Sequence, residues 1–416
     1  LDGPLKNNLF FRSIYYIASL PSEIKFRLTE MEIIENKNLK VGFHFSDSIK
    51  YDRNYFMLLS RHDLEKNRTV IELINTISQE IIFTWLPNID EYNKISNFKT
   101  EARINHDINL HANTKRHRNI HPLLLEDGSI ITNSDSPLIR FDCKSKLIWQ
   151  KDLLFHHSHE INHEGNVVVS SKSENKNLKK EFETKNIFIE DFIHIIDLKN
   201  GDILFTKSIL DILKENDLWF LLDLDDYMEI DSRPWDVIHT NDLQPVLYDT
   251  DFFKKGDIFI SARHISTVFL YRPSTNKIIW YSQGPWRWQH DVDIIDDETI
   301  GVFNNNNPLV NQVSENQKSV SQVVYYNFRT KKYSLPYKKH FRENDIMTKS
   351  DGLFSVMRNK DLFYEENLKG RIYLTNSNGE ILFKYIAASH LNWARLYENK
   401  EFILEVIKNL KEKKCI

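Results

Sequence analysis

The sequence repeats one short pattern of strands and turns, and this repetition constrains the fold more than any other feature. The clearest copy runs from Ser261 to Trp280 as a strand, a turn at Pro273–Asn276 and a returning strand. An aromatic crossover that contains Gly-Pro then leads to His290, which opens the next strand. A histidine at the start of a strand, a short turn and a hairpin recur elsewhere in the chain. This pattern predicts a sheet that is repeated as a blade.

Six such units, each built from short strands, follow one another along the chain, and repeats of four short strands over roughly 40 to 50 residues are typical of a β-propeller. The units open at Phe56, His121, His157, His239, His290 and Leu353. We therefore predict an all-β fold, a six-bladed β-propeller.

The two ends of the sequence differ from the repeats. Residues 1–50 are predicted to form a helical or irregular lead-in, because Pro21 and Ser22 can start a helix and apolar residues follow at helical spacing. The propeller is assigned to residues 51–398, with the segment 389–397 completing the first sheet and removing exposed sheet edges. Residues 399–416 are predicted to form a C-terminal helix. The charged run from Lys172 to Lys185 is predicted to be an exposed loop.

Composition excludes some partners. The 55 Lys and Arg residues are balanced by 59 Asp and Glu residues, so no basic field is expected to attract nucleic acid. Cys143 and Cys415 lack metal-ligand spacing, and we expect a buried strand residue and a tail thiol that do not pair. No apolar run reaches the roughly 18 residues of a membrane span. The sequence does not begin with Met, which leaves room for a signal peptide or a membrane anchor upstream of residue 1.

Propeller geometry brings distant histidines together, because the first strand of every blade lines the central channel. The candidates are His121, His157 or His159, His239, His290 and His390. Taken alone, each is better explained as an interior histidine that joins neighbouring blades. Together with Arg263, on the strand that follows His239, the set makes a site for a compact oxyanion.

Four motifs resemble the arylsulfotransferase family, the bacterial sulfotransferases that do not use a nucleotide sulfate donor. They are Phe155–Glu160 with Gly165–Val169, Asp236–Leu243, Ile260–Phe269 and Gln289–Asp293, in that order. The resemblance covers roughly residues 120 to 310 and implies a six-bladed propeller with three histidines and one arginine at the channel.

Carried over by motif position, the resemblance makes His290 the transiently sulfated nucleophile, with His239 and Arg263 beside it. His157 is favoured over His159 as the third histidine, because it has the same spacing to the following turn as His290. The expected substrate-binding residues are His159, His121, Asn241, Trp286 and Trp288, with the two tryptophans as an aromatic wall.

The resemblance implies transfer of a sulfuryl group from an aryl sulfate donor to a phenolic acceptor in a ping-pong cycle, with no metal or other cofactor. Neutral imidazole is a competent nucleophile near pH 7, and an arginine can hold the sulfuryl oxygens. The resemblance also implies a bacterial, periplasmic protein that can form a homodimer. The short N-terminal region and the lack of a cysteine between Cys143 and Cys415 depart from the enterobacterial type, and leave the mode of dimerisation and the acceptor range open.

Two other functional classes fit the same histidines. A metal- or quinone-dependent propeller enzyme could use them as ligands, although the fixed charge of Arg263 would repel a metal. A propeller without catalytic activity could bind a ligand or a partner on the same face.

Overall fold

The computed structural model describes residues 40–95, 113–115, 117–134, 137–175, 177, 188–222, 235–306, 319–389, 391–398 and 400–412. Within these residues, six sheets of four or five strands, antiparallel except for one short parallel pairing at Trp235–Asp236, form the blades of one propeller, so the prediction of a six-bladed β-propeller is confirmed. The helix predicted after Pro21 lies outside the described residues.

The first three blades are as follows. Blade 1 contains β2 (Phe56–Asp63), β3 (Arg68–Asn75), β4 (Ile81–Trp85) and β26 (Arg395–Tyr397). Blade 2 contains β5 (Ile120–Leu124), β6 (Ile130–Asn133), β7 (Leu138–Phe141) and β8 (Leu147–Lys151). Blade 3 contains β9 (Leu154–Ile161), β10 (Val167–Glu174), β11 (Phe188–Ile196), β12 (Ile203–Ser208) and the short β13 (Trp235–Asp236).

The remaining blades have the same layout. Blade 4 contains β14 (Thr240–Pro245), β15 (Ile258–Ala262), β16 (Thr267–Arg272) and β17 (Lys277–Ser282). Blade 5 contains β18 (His290–Asp296), β19 (Thr299–Asn304), β20 (Gln322–Asn327) and β21 (Lys332–Ser334). Blade 6 contains β22 (Leu353–Val356), β23 (Leu362–Glu366), β24 (Arg371–Thr375), β25 (Ile381–Ile386) and β1 (Gly42–Phe45).

The hydrophobic core lies between the blades. Each of the six interfaces between neighbouring blades has its own cluster of buried apolar side chains. The middle strands are therefore apolar on both faces, as in β16, whose first five residues are all buried. Outer strands face water on one side, and β17 alternates exposed and half-buried residues along its length.

Segments from both sides of the repeats close the ring. β26 is the inner strand of blade 1 and pairs with β2, with Tyr397 opposite Phe56. β1 adds an outer strand to blade 6, although it lies in the region predicted to be helical or irregular. Phe43 explains the difference, because its ring packs 5.3 Å from that of Phe383 in β25. The charged run also begins later than predicted, since Lys172 belongs to β10.

Four helices are described: α1 (Ile89–Tyr92), α2 (Ile209–Glu215), α3 (Lys338–Glu343) and α4 (Lys400–Lys411). The predicted C-terminal helix is confirmed by α4, which buries Ile403, Val406 and Leu410 in the cluster between blades 1 and 2. Leu410 packs on Gly128, where a Cβ atom would come within 2.8 Å of it. Among the described residues, no helix has the length and apolar character needed to cross a membrane.

The expectation for the cysteines is wrong. Cys143 is buried, as expected, but it is disulfide-bonded. The only other cysteine in the sequence, Cys415, lies outside the described residues.

Ring closure gives the first prediction. A chain that ends before Ser389 lacks β26 and should lose cooperative unfolding, because blade 1 then has an open inner edge. A chain that ends at Asn399 keeps β26 and should unfold cooperatively with a lower melting temperature, since it loses three buried side chains worth about 1.5 to 3 kcal/mol each. Calorimetry of both chains would measure their cooperativity and melting temperatures. The reduced full-length protein is the control for loss of the disulfide bond. Cooperative unfolding of the shorter chain at the full-length temperature would contradict it.

Candidate active site

In every blade, a non-glycine residue in the left-handed region lies either among the first four residues of the inner strand or within two residues before it. These residues are Trp393, His121, His157, His239, Asp291 and Asp351, for blades 1 to 6. In blades 2 to 5 the pairing register shifts close to this position, as in a β-bulge. A left-handed conformation costs a non-glycine residue about 1 to 3 kcal/mol and occurs preferentially at functional sites. Here it gathers side chains from different blades at the channel.

Three of the predicted histidines meet there. The ring of His157 lies 5.0 Å from that of His239 and 5.9 Å from that of His290. Trp393 closes the group, because its ring lies 5.9 Å from His157 and 6.3 Å from His290. The structure therefore brings together residues from blades 1, 3, 4 and 5.

His290 is held in one tautomer. Its Nδ1–H donates to Oδ1 of Asn305 at 2.7 Å. The amide of Asn305 cannot be reversed without loss, because its Nδ2 donates to the carbonyls of Thr348 and Asp351 at 3.0 and 2.7 Å. Nε2 of His290 is therefore the nitrogen with the lone pair, and it accepts the backbone N–H of Asp351 at 3.2 Å. Burial and the charge of Arg263 lower the pKa of His290 to about 3, so the ring is neutral.

His239 is paired with a carboxylate. Its Nδ1–H donates to Oδ2 of Asp236 at 2.5 Å, which directs Nε2 away from that carboxylate. Burial alone would raise the pKa of Asp236, but the charge and the hydrogen bond of His239 lower it below its ordinary value. Asp236 is therefore ionised, and its hydrogen bond orients the ring of His239.

Arg263 is oriented by aromatic neighbours. It follows β15, and its guanidinium lies 4.5 Å from the centre of the Trp288 ring. Nη1 donates to Nε2 of His264 at 2.6 Å, and Nδ1 of His264 donates to the carbonyl of Asp236. Trp288 and His264 thus hold the arginine in place. Sequence reasoning did not include His264, although it directly follows Arg263 in the motif.

His121 and His159 lie in a neighbouring polar cluster. Nε2 of His159 donates to the carbonyl of Ile131 at 3.1 Å and joins blade 3 to blade 2. His121 is 3.1 Å from Arg395, which also forms an ion pair with Glu160 at 2.9 Å. Among the ring contacts of the described residues, His121 reaches the site only through Trp393, at 5.5 Å. We therefore regard both as blade-joining histidines.

The other predicted contacts are structural in this geometry. Asn241 is fully buried, and its Nδ2 donates to the carbonyl of Gln289 at 2.7 Å. Trp286 belongs to the core between blades 4 and 5, and its indole donates to the carbonyl of Ser266 at 3.1 Å. His390 lies outside the described residues. The aromatic surface beside the histidines is provided by Trp393, which sequence reasoning missed.

Two sets of side chains have the spacing of metal ligands. They are His157, His290 and Asp351, and Asp236, His239 and His264, with donor atoms within 4.8 Å of one another in each set. In the second set these atoms already bind one another and Arg263. The charge of Arg263 also acts on His290 in the first set. A fixed cation beside both sets disfavours a metal, and we assign neither set to one.

A comparison with known protein families shows the family of this chain. The arylsulfotransferase (ASST) family profile matches residues 121–388. The chain belongs to the arylsulfotransferase family. The match covers strands β5 to β25 and contains His157, His239, Arg263 and His290, and it supports a sulfotransferase-like function. Trp393 lies beyond the matched residues.

Other comparisons add little to the arylsulfotransferase match. No curated protein matches the sequence significantly. A protein of unknown function from Bacteroides caccae is 10% identical, with a TM-score of 0.47 over 83% of this chain and 99% of that chain. Virginiamycin B lyase from Staphylococcus aureus is 11% identical, with a TM-score of 0.36 over 64% of this chain and 68% of that chain.

Buried titratable groups give the second prediction. Burial raises the pKa of Glu365 to about 8, above its unfolded value, so its contribution to stability is full at acidic pH and is lost as pH rises toward 8. The lowered pKa of His290 has the opposite effect, because it makes the free energy of unfolding rise with pH, but only below about pH 6.5. The free energy of unfolding should therefore fall above pH 6.5, by up to about 1.4 kcal/mol per pH unit for one carboxyl group.

Denaturant titrations at several pH values would measure this decline. Glu365→Gln cannot ionise and should show a shallower decline than the wild type. An equal slope in both proteins would contradict the assignment to Glu365.

Proposed function

We propose that the protein transfers a sulfuryl group from an aryl sulfate to a phenolic acceptor in two steps, through a sulfohistidine at His290 and without a nucleotide donor. The observation that carries the proposal is the tautomer of His290. Asn305 binds Nδ1–H and leaves the lone pair on Nε2. A buried neutral imidazole with a directed lone pair is suited to nucleophilic attack.

In the first step, Nε2 of His290 gives up the hydrogen bond from Asp351 and attacks the sulfur. The S–O bond of the ester breaks, and the electron pair leaves with the phenolate. Arg263 neutralises charge on the sulfuryl oxygens, and His239 can donate to the same oxygens from Nε2 while Asp236 binds Nδ1. Trp393 offers an aromatic surface for the ring of the donor.

In the second step, the acceptor oxygen attacks the sulfur of the sulfohistidine and the S–N bond breaks. A proton must be given to the first phenolate and taken from the second phenol. His157 lies between His239 and His290 and is placed to carry that proton.

We also propose that the protein is exported to the bacterial periplasm. The disulfide at Cys143 supports this, because structural disulfides persist mainly in oxidising compartments.

The third prediction tests the nucleophile. Wild-type protein mixed with an aryl sulfate and no acceptor should gain the mass of one sulfuryl group on the peptide that contains His290. His290→Asn should fold but show neither the label nor turnover, because the amide has no nucleophilic nitrogen. His340→Asn is a matched control, since His340 is buried between blades 5 and 6 and binds the hydroxyl of Tyr364 at 2.7 Å. Peptide mass spectrometry would decide, and turnover by His290→Asn would refute the proposal.

The fourth prediction concerns Arg263. Arg263→Lys keeps the charge but loses the planar guanidinium and its contact with Trp288, so kcat/KM should fall by about 10- to 1000-fold. Arg272→Lys is the control, because Arg272 binds Asp257 through two nitrogens in the same blade and should affect stability without affecting turnover. Equal kcat/KM values for wild type and Arg263→Lys would exclude a role for the guanidinium.

A further inference from the structure

A row of three side chains in blade 3, the half-buried His157 and the buried His156 and Asp191, leads away from the active site. Nδ1 of His157 lies 2.7 Å from Nδ1 of His156. Nε2 of His156 lies 3.2 Å from Oδ1 of Asp191 in β11. The second contact is close but lacks hydrogen-bond geometry in the substrate-free structure, and catalytic hydrogen bonds often align only when substrate binds. His156 and Asp191 are at most 1% exposed, so water does not interrupt the row.

The row has two protonation forms with the same heavy-atom positions, and the acid form holds one proton more than the base form. In the acid form, Asp191 is protonated and donates to Nε2 of His156, His156 donates from Nδ1 to His157, and His157 carries a proton on Nε2. In the base form, Asp191 is ionised, His156 donates to it from Nε2, His157 donates from Nδ1 to His156, and Nε2 of His157 has a lone pair. Both imidazoles are neutral in both forms.

We propose that Asp191, His156 and His157 form a proton relay that serves both sulfuryl-transfer steps, with Asp191 as the group that stores the proton. This inference rests on the proposed function. His157 is the catalytic residue, because it exchanges the proton with substrate. His156 and Asp191 are positioning residues that act through it.

The relay supplies the proton that the first step needs and takes it back in the second step. When the S–O bond of the donor breaks, the departing phenolate takes the proton from Nε2 of His157. His157 receives one at Nδ1 from His156, and His156 receives one at Nε2 from Asp191, which becomes a carboxylate. The acceptor phenol reverses these transfers while the S–N bond at His290 breaks and the new S–O bond forms. The enzyme returns to the acid form.

Electrostatics favour storage at Asp191 over a charged His157. Burial and the neighbouring His156, His239 and His290 lower the pKa of His157 well below its ordinary value, so an imidazolium is unfavourable there. Burial and the charge of Asp236 raise the pKa of Asp191 to about 8, against the opposing effects of His239 and Lys172. Asp191 can therefore hold a proton near neutral pH.

Asp191 also connects the relay to the second active-site histidine. Its Oδ2 accepts the backbone N–H of His239 at 3.1 Å. One carboxyl group thus sets the position of His239 and the protonation of His157. The relay should extend the acceptor range to phenols of high pKa, which need a base before they attack.

The fifth prediction compares phenols of different acidity. In Asp191→Asn and His156→Phe, transfer from sulfated enzyme to phenol, whose pKa is close to the value of about 10 for tyrosine, should slow by about 100-fold or more. Loading from 4-nitrophenyl sulfate should keep nearly its wild-type rate, because the 4-nitrophenolate leaving group needs little protonation. Transfer to acidic phenols that are already ionised should also be preserved. A purely structural defect would instead slow all substrates equally, and that result would overturn the relay.

Matched controls separate the relay from general effects of buried substitutions. Asp257→Asn removes a buried carboxylate that binds Arg272 in blade 4. His194→Phe removes a buried histidine of blade 3 that binds Ser171 and Thr206. Neither should alter the dependence of rate on acceptor pKa.

Nitrogen NMR of histidine-labelled protein tests the relay without any substrate. His156 should carry its proton on Nδ1 and His157 on Nε2 at neutral pH, and both should change tautomer as pH rises through about 8. Asp191→Asn should abolish this change, as an amide fixes one tautomer. If wild-type protein forms no sulfohistidine but His156 and His157 still change tautomer, the proposed function fails and the relay stands. If the tautomers stay constant, the relay is refuted whatever the activity.

Discussion

Bonds between buried carboxyl groups and backbone amides of the next blade hold the channel together. Asp242 accepts from Val292 at 2.8 Å, Asp291 from Phe354 at 2.6 Å, and Glu365 from Trp393 and Ala394 at 3.0 and 2.9 Å. The hydrophobic clusters press the blades together, but apolar contacts do not fix how inner strands align. Each of these hydrogen bonds fixes the alignment of two inner strands, because a buried amide left unpaired would cost about 1 to 3 kcal/mol. The positions of the histidines depend on this alignment.

The channel combines strain, burial and charge in one place. Six residues in left-handed conformations bring His157 and His239 to the channel. Burial keeps His290 neutral while Arg263 supplies a permanent positive charge beside it. Such a site has its charges arranged before substrate arrives, and little reorganisation remains for the chemical step.

The repeat, the number of blades and the convergence of His239, His290 and Arg263 could be predicted, because strand alternation and turn residues are local signals. The partners of these residues could not. Asn305 reaches His290 from the loop after β19, and its role depends on amide orientation, which no spacing encodes. The two tryptophans after Gly284 look alike in sequence, yet Trp286 is core and Trp288 stacks on Arg263. β1 is too short for alternation to identify.

The pairing of β26 with β2 also determines when the complete site is formed. It joins Tyr397 to Phe56, a contact between distant parts of the chain, and contacts of this kind slow folding because of their loop entropy. Until it forms, the blades make an open arc and Trp393 is not beside His290. The incompletely folded chain therefore lacks the Trp393 face of the site and is prone to aggregation at its open edges, and the complete site appears only as the last sheet is completed.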